Sequence, residues 1–218
     1  MSSYVGGEPG RYEAKNATAK TLVEEAFHLP EQQVSGGPPW VDSQRFDVTA
    51  KLSESDWQKI DKLDYSRQQQ VIRPMLQALL RERFQLEARH EPKELMVYAL
   101  VTAKGGAKLR AAGEPKPPQP PDFGERPLLM TIDQKDISVG MLAEALTEQL
   151  GRTVVDQTGL AGRYDISFGV PVPPDSSGDE VEPAIFRALQ DQLGLKLESR
   201  KAVVDTIVIE RMEQPSPN

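Results

Sequence analysis

Two Arg-aromatic-Asp triplets, Arg45-Phe46-Asp47 and Arg163-Tyr164-Asp165, are the first residues in this chain whose types and spacing suggest a working site. In a strand, successive side chains alternate faces, so each Arg shares a face with its Asp while Phe46 or Tyr164 turns to the other side. One reading makes the charged face a ligand site. The simpler one sends the aromatic into the core and lets the ion pair fasten an adjacent loop. Trp40, after Gly36-Gly37-Pro38-Pro39, is the candidate for surface recognition, because tryptophan is rich in contact energy and loops carry function. Its competing role is to pack over the strand that follows. The candidate binding residues are therefore Trp40, Arg45, Asp47, Arg163 and Asp165.

No catalytic residue, metal site or cofactor is expected. The chain has no cysteine and two histidines, His28 and His90. His28 falls at a helix end, where a cation suits the dipole; His90 precedes Glu91-Pro92 and reads as a surface residue. A Ser-His-Asp triad would need one of them, and no GxSxG elbow presents a nucleophile. Asp156-Gln157-Thr158-Gly159 departs from the Asp-Thr-Gly of aspartic proteases and reads as an Asx-type turn. Gly159-Leu160-Ala161-Gly162 imitates a nucleic-acid clamp, but strand patterns flank it. Lys104-Gly105-Gly106-Ala107-Lys108 lacks phosphate-loop spacing. Asp175, Asp179, Glu180 and Glu182 lack EF-hand spacing and read as a solvated acidic loop.

Composition narrows the partners. With 26 basic and 33 acidic side chains the net charge is −7, which disfavours nucleic acid. No apolar run approaches the ~20 residues that cross a bilayer. Met1 to Gly7 has neither the charged start nor the apolar stretch of a signal peptide.

These residues need elements to hold them. Apolar stripes predict helices over 18–29, 66–83, 138–150 and 183–193, with a shorter one over 53–63. Ser66 with Gln69 reads as a capping box, and Pro74 is expected to kink or divide its helix. Strand patterns cover 45–51, 84–90, 95–103, 128–134, 153–156, 163–170, 195–200 and 203–210. Six prolines between Arg110 and Pro127 predict a stiff connector, and Pro171 to Glu182 forms a second break. The triplets, the helices with Ala78-Leu79 and Ala188-Leu189, and the runs Phe84–Arg89 and Leu195–Arg200 recur in one order, which predicts a duplication. The expected fold is α+β: two tandem related halves, each a small, mainly antiparallel sheet with helices on one face. The halves span 10–109 and 128–213, joined by the connector 110–127.

GRYEAKNAT, Gly36-Gly37-Pro38-Pro39-Trp40, RFDVTAK and MLQALLRERFQLEARHEPKELMVYALVTAKGGAKL, with GRTVVDQTGLAGRYDISF and ALQDQLGLKLESRKAVVDTIVIE, carry a resemblance. Over about Gly10 to Pro215 the chain resembles a soil-associated bacterial family of unknown function, expanded in Acidobacteria such as Solibacter. The resemblance implies an exported protein, with related domains attached to membrane-embedded zinc peptidases; the HExxH motif of those peptidases is absent here. More distantly, Ala184 to Glu210 resembles the short N-terminal domains of secretins and TonB-dependent receptors, which mediate periplasmic protein contacts. The expected function is a non-catalytic, periplasmic or secreted module that binds an unknown protein or small ligand. A small-ligand sensor with a cleft between the halves and a hydrolase using scattered carboxylates are the alternatives.

Overall fold

The computed structural model describes residues 4–6, 11–62, 65–113, 128–171 and 181–215. The chain divides into two compact units, Met1–Lys93 with Val203–Asn218 and Glu94–Ala202. The fold is α+β.

The first unit opens with β1 (Tyr4–Gly6) and β2 (Arg11–Thr18), paired antiparallel. At the end of β2 the Thr18 hydroxyl accepts the Thr21 N–H and caps α1 (Ala19–Phe27). Leu22, Val23 and Ala26 form the buried stripe of α1. The helix closes on His28 in the left-handed region, with the Leu29 N–H returning to the Glu24 carbonyl at 2.9 Å. After β3 (Val34–Gly36) the chain enters β4 (Arg45–Lys51), antiparallel to β2. Ser53 caps α2 (Glu54–Ile60). α3 (Tyr65–Phe84) follows, and Pro74 lies inside it without dividing it; the Ser66 and Gln69 side chains of the expected capping box lie outside the described set. The core gathers Ala14 and Ala17 of β2, the α1 stripe, and Leu76, Leu80 and Phe84 of α3.

β5 (Glu87–Thr102) starts in this unit and ends in the other. The expectation of two strands with Phe84 in the first is corrected: Phe84 ends the helix, and one strand runs on through Pro92. The closing strand of the chain, β10 (Leu195–Arg211), likewise replaces two expected strands. Its second half, from Val203, returns to the first unit, where it lies between β3 and β5, parallel to β3 with Ile207 opposite Val34.

In the second unit the short β6 (Arg110–Ala111) occupies the first residues of the expected connector; residues 114–127 lie outside the described set. β7 (Leu128–Ile137) pairs antiparallel with β9 (Tyr164–Pro171), and β6 flanks β9 on its other side. Between β7 and β9 come α4 (Val139–Leu150), capped by Ser138, and β8 (Val154–Asp156), parallel to β5 with Val154 opposite Tyr98. Of the second expected break, Pro171 ends β9, residues 172–180 lie outside the described set, and Val181-Glu182 open α5 (Val181–Ala188). A π-turn, Leu189–Leu193, continues α5 and stops at Gly194. The core joins Leu142 and Leu146 of α4, Ile166, Phe168 and Val170 of β9, and Ile185, Leu189 and Leu193.

Candidate functional site

The two Arg-aromatic-Asp triplets do the same local work. Opposite β4, β2 carries a bulge where the register shifts between Ala14 and Ala17. Asn16 sits in it at φ +56°, a conformation asparagine tolerates better than most residues. A bulge leaves a peptide group out of the ladder. Asp47 Oδ1 accepts the Asn16 N–H at 2.8 Å, and Arg45 Nη1 donates to the Asn16 carbonyl at 2.8 Å, so both sides of that residue's main chain are satisfied. In the second unit β7 shifts register between Gln134 and Ile137, with Asp136 at φ +55°. Asp165 Oδ1 accepts the Asp136 N–H at 3.0 Å. Arg163 donates to the Asp136 carbonyl, and its Nε donates to the Asp136 carboxylate at 2.7 Å. The charged residues thus brace a bulge through its backbone, where an ion pair fastening a loop was expected.

Each bulge aims the chain into a helix. Ala17 and Ile137, one residue on, are buried; Thr18 and Ser138, two residues on, are the N-caps. Asn16 and Asp136 were not singled out from sequence. Their signal is an Asn or Asp two positions before a Ser/Thr cap, answered far downstream by Arg-x-Asp.

Trp40 is half-buried and meets Phe46 edge-on at 6.0 Å; Phe46 meets Phe84 edge-on at 5.2 Å. The tryptophan therefore packs over β4. The glycines before it are fixed by close approach: a Cβ on Gly36, at φ +83°, would lie 2.6 Å from the Ile209 carbonyl oxygen.

The other candidates resolve into local structure. Asp156 Oδ1 accepts from both the N–H and the hydroxyl of Thr158, an Asx turn. His90 is exposed and pairs with Asp205. Glu182 accepts from the Tyr98 hydroxyl. The Arg152 guanidinium lies 4.2 Å over the Tyr98 ring and donates to Ser199 Oγ. Burial, then Glu182, raises the Tyr98 pKa. Asp175, Asp179 and Glu180 lie outside the described residues, among which no three His, Asp or Glu side chains gather as a metal-binding set. A crevice in the first unit, lined by Tyr12, Leu22, Val48, Leu76, Leu79 and Leu80, has a volume of about 10 Å³, which is the room of a single water. Glu24, whose pKa is raised mainly by burial, is not among its walls.

His28 behaves differently from the cationic helix end expected of it. Burial, then the nearby Arg73 charge, lowers its pKa from 6.5 to about 4, so it is neutral at pH 7. The unfolded chain takes up a proton on this ring before the folded one does. Stability from this source is complete above pH 6.5 and drains away as the pH falls towards 4. Glu24, with its raised pKa, acts with the opposite sign, so the His28 share is read by comparison. Urea midpoints measured from pH 4 to 7 should fall less steeply with acid in His28→Gln than in the parent; parallel profiles would refute the assignment.

Comparison with known proteins gives one match. A family model described as "Protein of unknown function (DUF3738)" matches residues 20–212. No curated protein and no solved structure matches the chain. Since the match spans most of the chain, the chain belongs to the DUF3738 family of proteins of unknown function.

Proposed function

We propose that this chain is a non-catalytic extracytoplasmic module that binds an extended segment of a partner protein along the open edge of β4. The carrying observation is that edge. Among the described residues β4 pairs with β2 on one side and with nothing on the other. A bare edge offers a row of backbone donors and acceptors to an incoming strand. Phe46, Val48 and Ala50 are half-buried on one face; Arg45, Asp47, Thr49 and Lys51 are exposed on the other. A guest strand with alternating apolar and polar residues would extend both rows. Val48 also walls the apolar crevice with Leu76 and Leu79 of α3, where Val71 and Met75 remain 38% and 42% exposed. In the second unit β9 has a neighbour on each side, the second being β6. That use of a short strand supports reading the β4 edge as a seat.

The test needs no change to the protein. Extended peptides of alternating pattern are screened by thermal shift, and a binder is remade with alternate residues N-methylated. One methylation phase should abolish binding and protection of the 45–51 amides, while the other phase should leave both intact. Equal binding by both forms would sink the edge reading, and a substrate turnover abolished by one substitution would sink the non-catalytic one.

The proposal includes descent of the two units from one ancestor, as diverged copies. The matched staples support it, and so do the helix ends. Gln85 (φ +49°) and Gly194 (φ +64°) each close a helix in the left-handed region. Counted back from those residues, Leu76, Leu80 and Phe84 correspond to Ile185, Leu189 and Leu193, all buried. Half-against-half alignment of family sequences that lacked the Asn/Asp and Arg-x-Asp positions would count against descent. Export rests on the resemblance to a secreted family; fractionation of cells expressing the full-length gene product tests it. Among the described residues no helix is long and apolar enough to cross a membrane.

A further inference from the structure

We infer that the guest of the β4 edge is a segment reading aliphatic, basic, small along its chain, laid antiparallel to β4 with the basic residue opposite Asp47. The inference rests on the open-edge reading proposed above and adds the guest's direction, register and chemistry. The second unit already holds such a strand. β4 carries Phe46 and Asp47 of its triplet, and β9 carries Tyr164 and Asp165 of the other. Each lies against a bulged strand, β2 or β7, whose left-handed residue is bound by the triplet's Asp and Arg. On the side of β9 away from β7 lies β6; on the side of β4 away from β2 no strand lies among the described residues. The place that β6 fills beside β9 is thus the place left open beside β4.

What β6 presents to β9 specifies what β4 would accept. Arg110 stands opposite Asp165 and Ala111 opposite Tyr164, antiparallel. The Ala112 N–H donates to the Arg163 carbonyl at 2.9 Å, so the bonded pairs of this ladder fall on the triplet's Arg and Asp, and the aromatic takes a non-bonded pair. Facing side chains come closest at such a pair, and a small residue there leaves room for the ring. One step back, Leu109 falls opposite Ile166 and packs against the second unit's core. Carried to β4, the same register sets a small residue opposite Phe46, whose ring meets both Trp40 and Phe84 edge-on. It sets an aliphatic residue opposite Val48, at the wall of the crevice shared with Leu76 and Leu79. The basic residue faces Asp47, which is exposed and whose Oδ1 accepts the Asn16 N–H; a carboxylate has lone pairs for a further donor. Opposite charges attract across a ladder and like charges repel, so the same cation placed opposite Arg45 would be disfavoured.

The probe is a synthetic peptide holding the run Leu109-Arg110-Ala111-Ala112, LRAA, between flanks of alternating valine and threonine. Because the chain carries a net charge of −7 and attracts any cation, the control has the same composition. It reads LAAR in the same flanks, which keeps the arginine on its face and brings it opposite Arg45. In an amide chemical-shift titration of the intact chain, the LRAA peptide should move the 45–51 amides and bind at least about threefold more tightly than the control at low salt. The difference should shrink at about 1 M salt. A spin label on the peptide's N-terminus should broaden the Lys51 end of β4 more than the Arg45 end. Equal affinities, or broadening centred on Arg45, would overturn this inference and leave the edge reading standing. So would silence from both peptides while another alternating peptide binds the edge. If no extended peptide moves the 45–51 amides, the edge reading falls and this inference with it.

Discussion

Gly194→Ala is expected to destabilise the second unit by roughly 4 kcal/mol, combining a left-handed residue with a backbone clash. Gly194 ends the π-turn at φ +64°, and a Cβ built there lies 2.2 Å from the Gly106 carbonyl oxygen and 3.1 Å from the Lys108 nitrogen. Neither atom is the movable tip of a side chain. The approach is itself fixed by hydrogen bonds: the Ala103 N–H donates to the Gly194 carbonyl at 2.9 Å, and the Lys108 N–H donates to the Leu193 carbonyl at 2.8 Å. Gly151 provides the control. It ends α4 at φ +60°, and a Cβ there meets nothing within 4 Å. Gly151→Ala should therefore cost only about 1 kcal/mol, the conformational part alone. Urea unfolding followed by far-UV circular dichroism measures both; equal losses would show that the contact with Gly106 does not constrain the fold.

Ile207→Ala should cost roughly 2–5 kcal/mol, the range for removing a fully buried branched side chain whose site collapses only in part. Ile207 is 0% exposed, and it reaches the first unit's core from the far end of the sequence. Val203, four residues earlier on the same strand, is 70% exposed, so Val203→Ala should stay within about 0.5 kcal/mol of the parent. Both tryptophans, Trp40 and Trp57, belong to the first unit, so their fluorescence reports on it directly. An Ile207→Ala chain whose tryptophan transition matches that of the parent would mean that β10 is not part of that core.

Much of the fold is legible in the sequence because the buried stripes are regular. Leu142 and Leu146, capped by Ser138 and stopped by Gly151, announce α4 as plainly as a helix can. The long strands are harder. Along β5, Arg89, His90, Pro92, Lys93 and Glu94 are all exposed, and along β10 so are Ser199, Arg200 and Lys201. With neither face buried, the alternation that marks a strand vanishes, and one element reads as two. Register is hidden for a related reason. Under the common descent proposed for the two units, residue similarity matches Phe84–Arg89 with Leu195–Arg200, whereas the left-handed helix ends would set Leu86 against Leu195, two residues away. A slip of two keeps every side chain on its face, so hydrophobic pattern cannot detect it. Of the candidate site, the Arg and Asp positions were visible and their partner was not. What they hold is the main chain of Asn16 and Asp136, and a backbone group leaves no mark in a list of side chains.

The route of β10 also bears on how the molecule is made. A ribosome releases residues in order, and a domain ordinarily folds once its last residue has emerged. Here the unit synthesised first is finished last, because the strand that fills its seat comes after the whole of Glu94–Ala202. The second unit has all its residues outside the tunnel earlier, while Val34 still lacks its neighbour. A nascent chain, or one terminated before 203–212, therefore displays an unfilled sheet position beside Val34–Gly36, the kind of surface that chaperones and proteases recognise. Loss of 203–212 is therefore felt at Val34–Gly36, on the other side of the whole second unit in sequence.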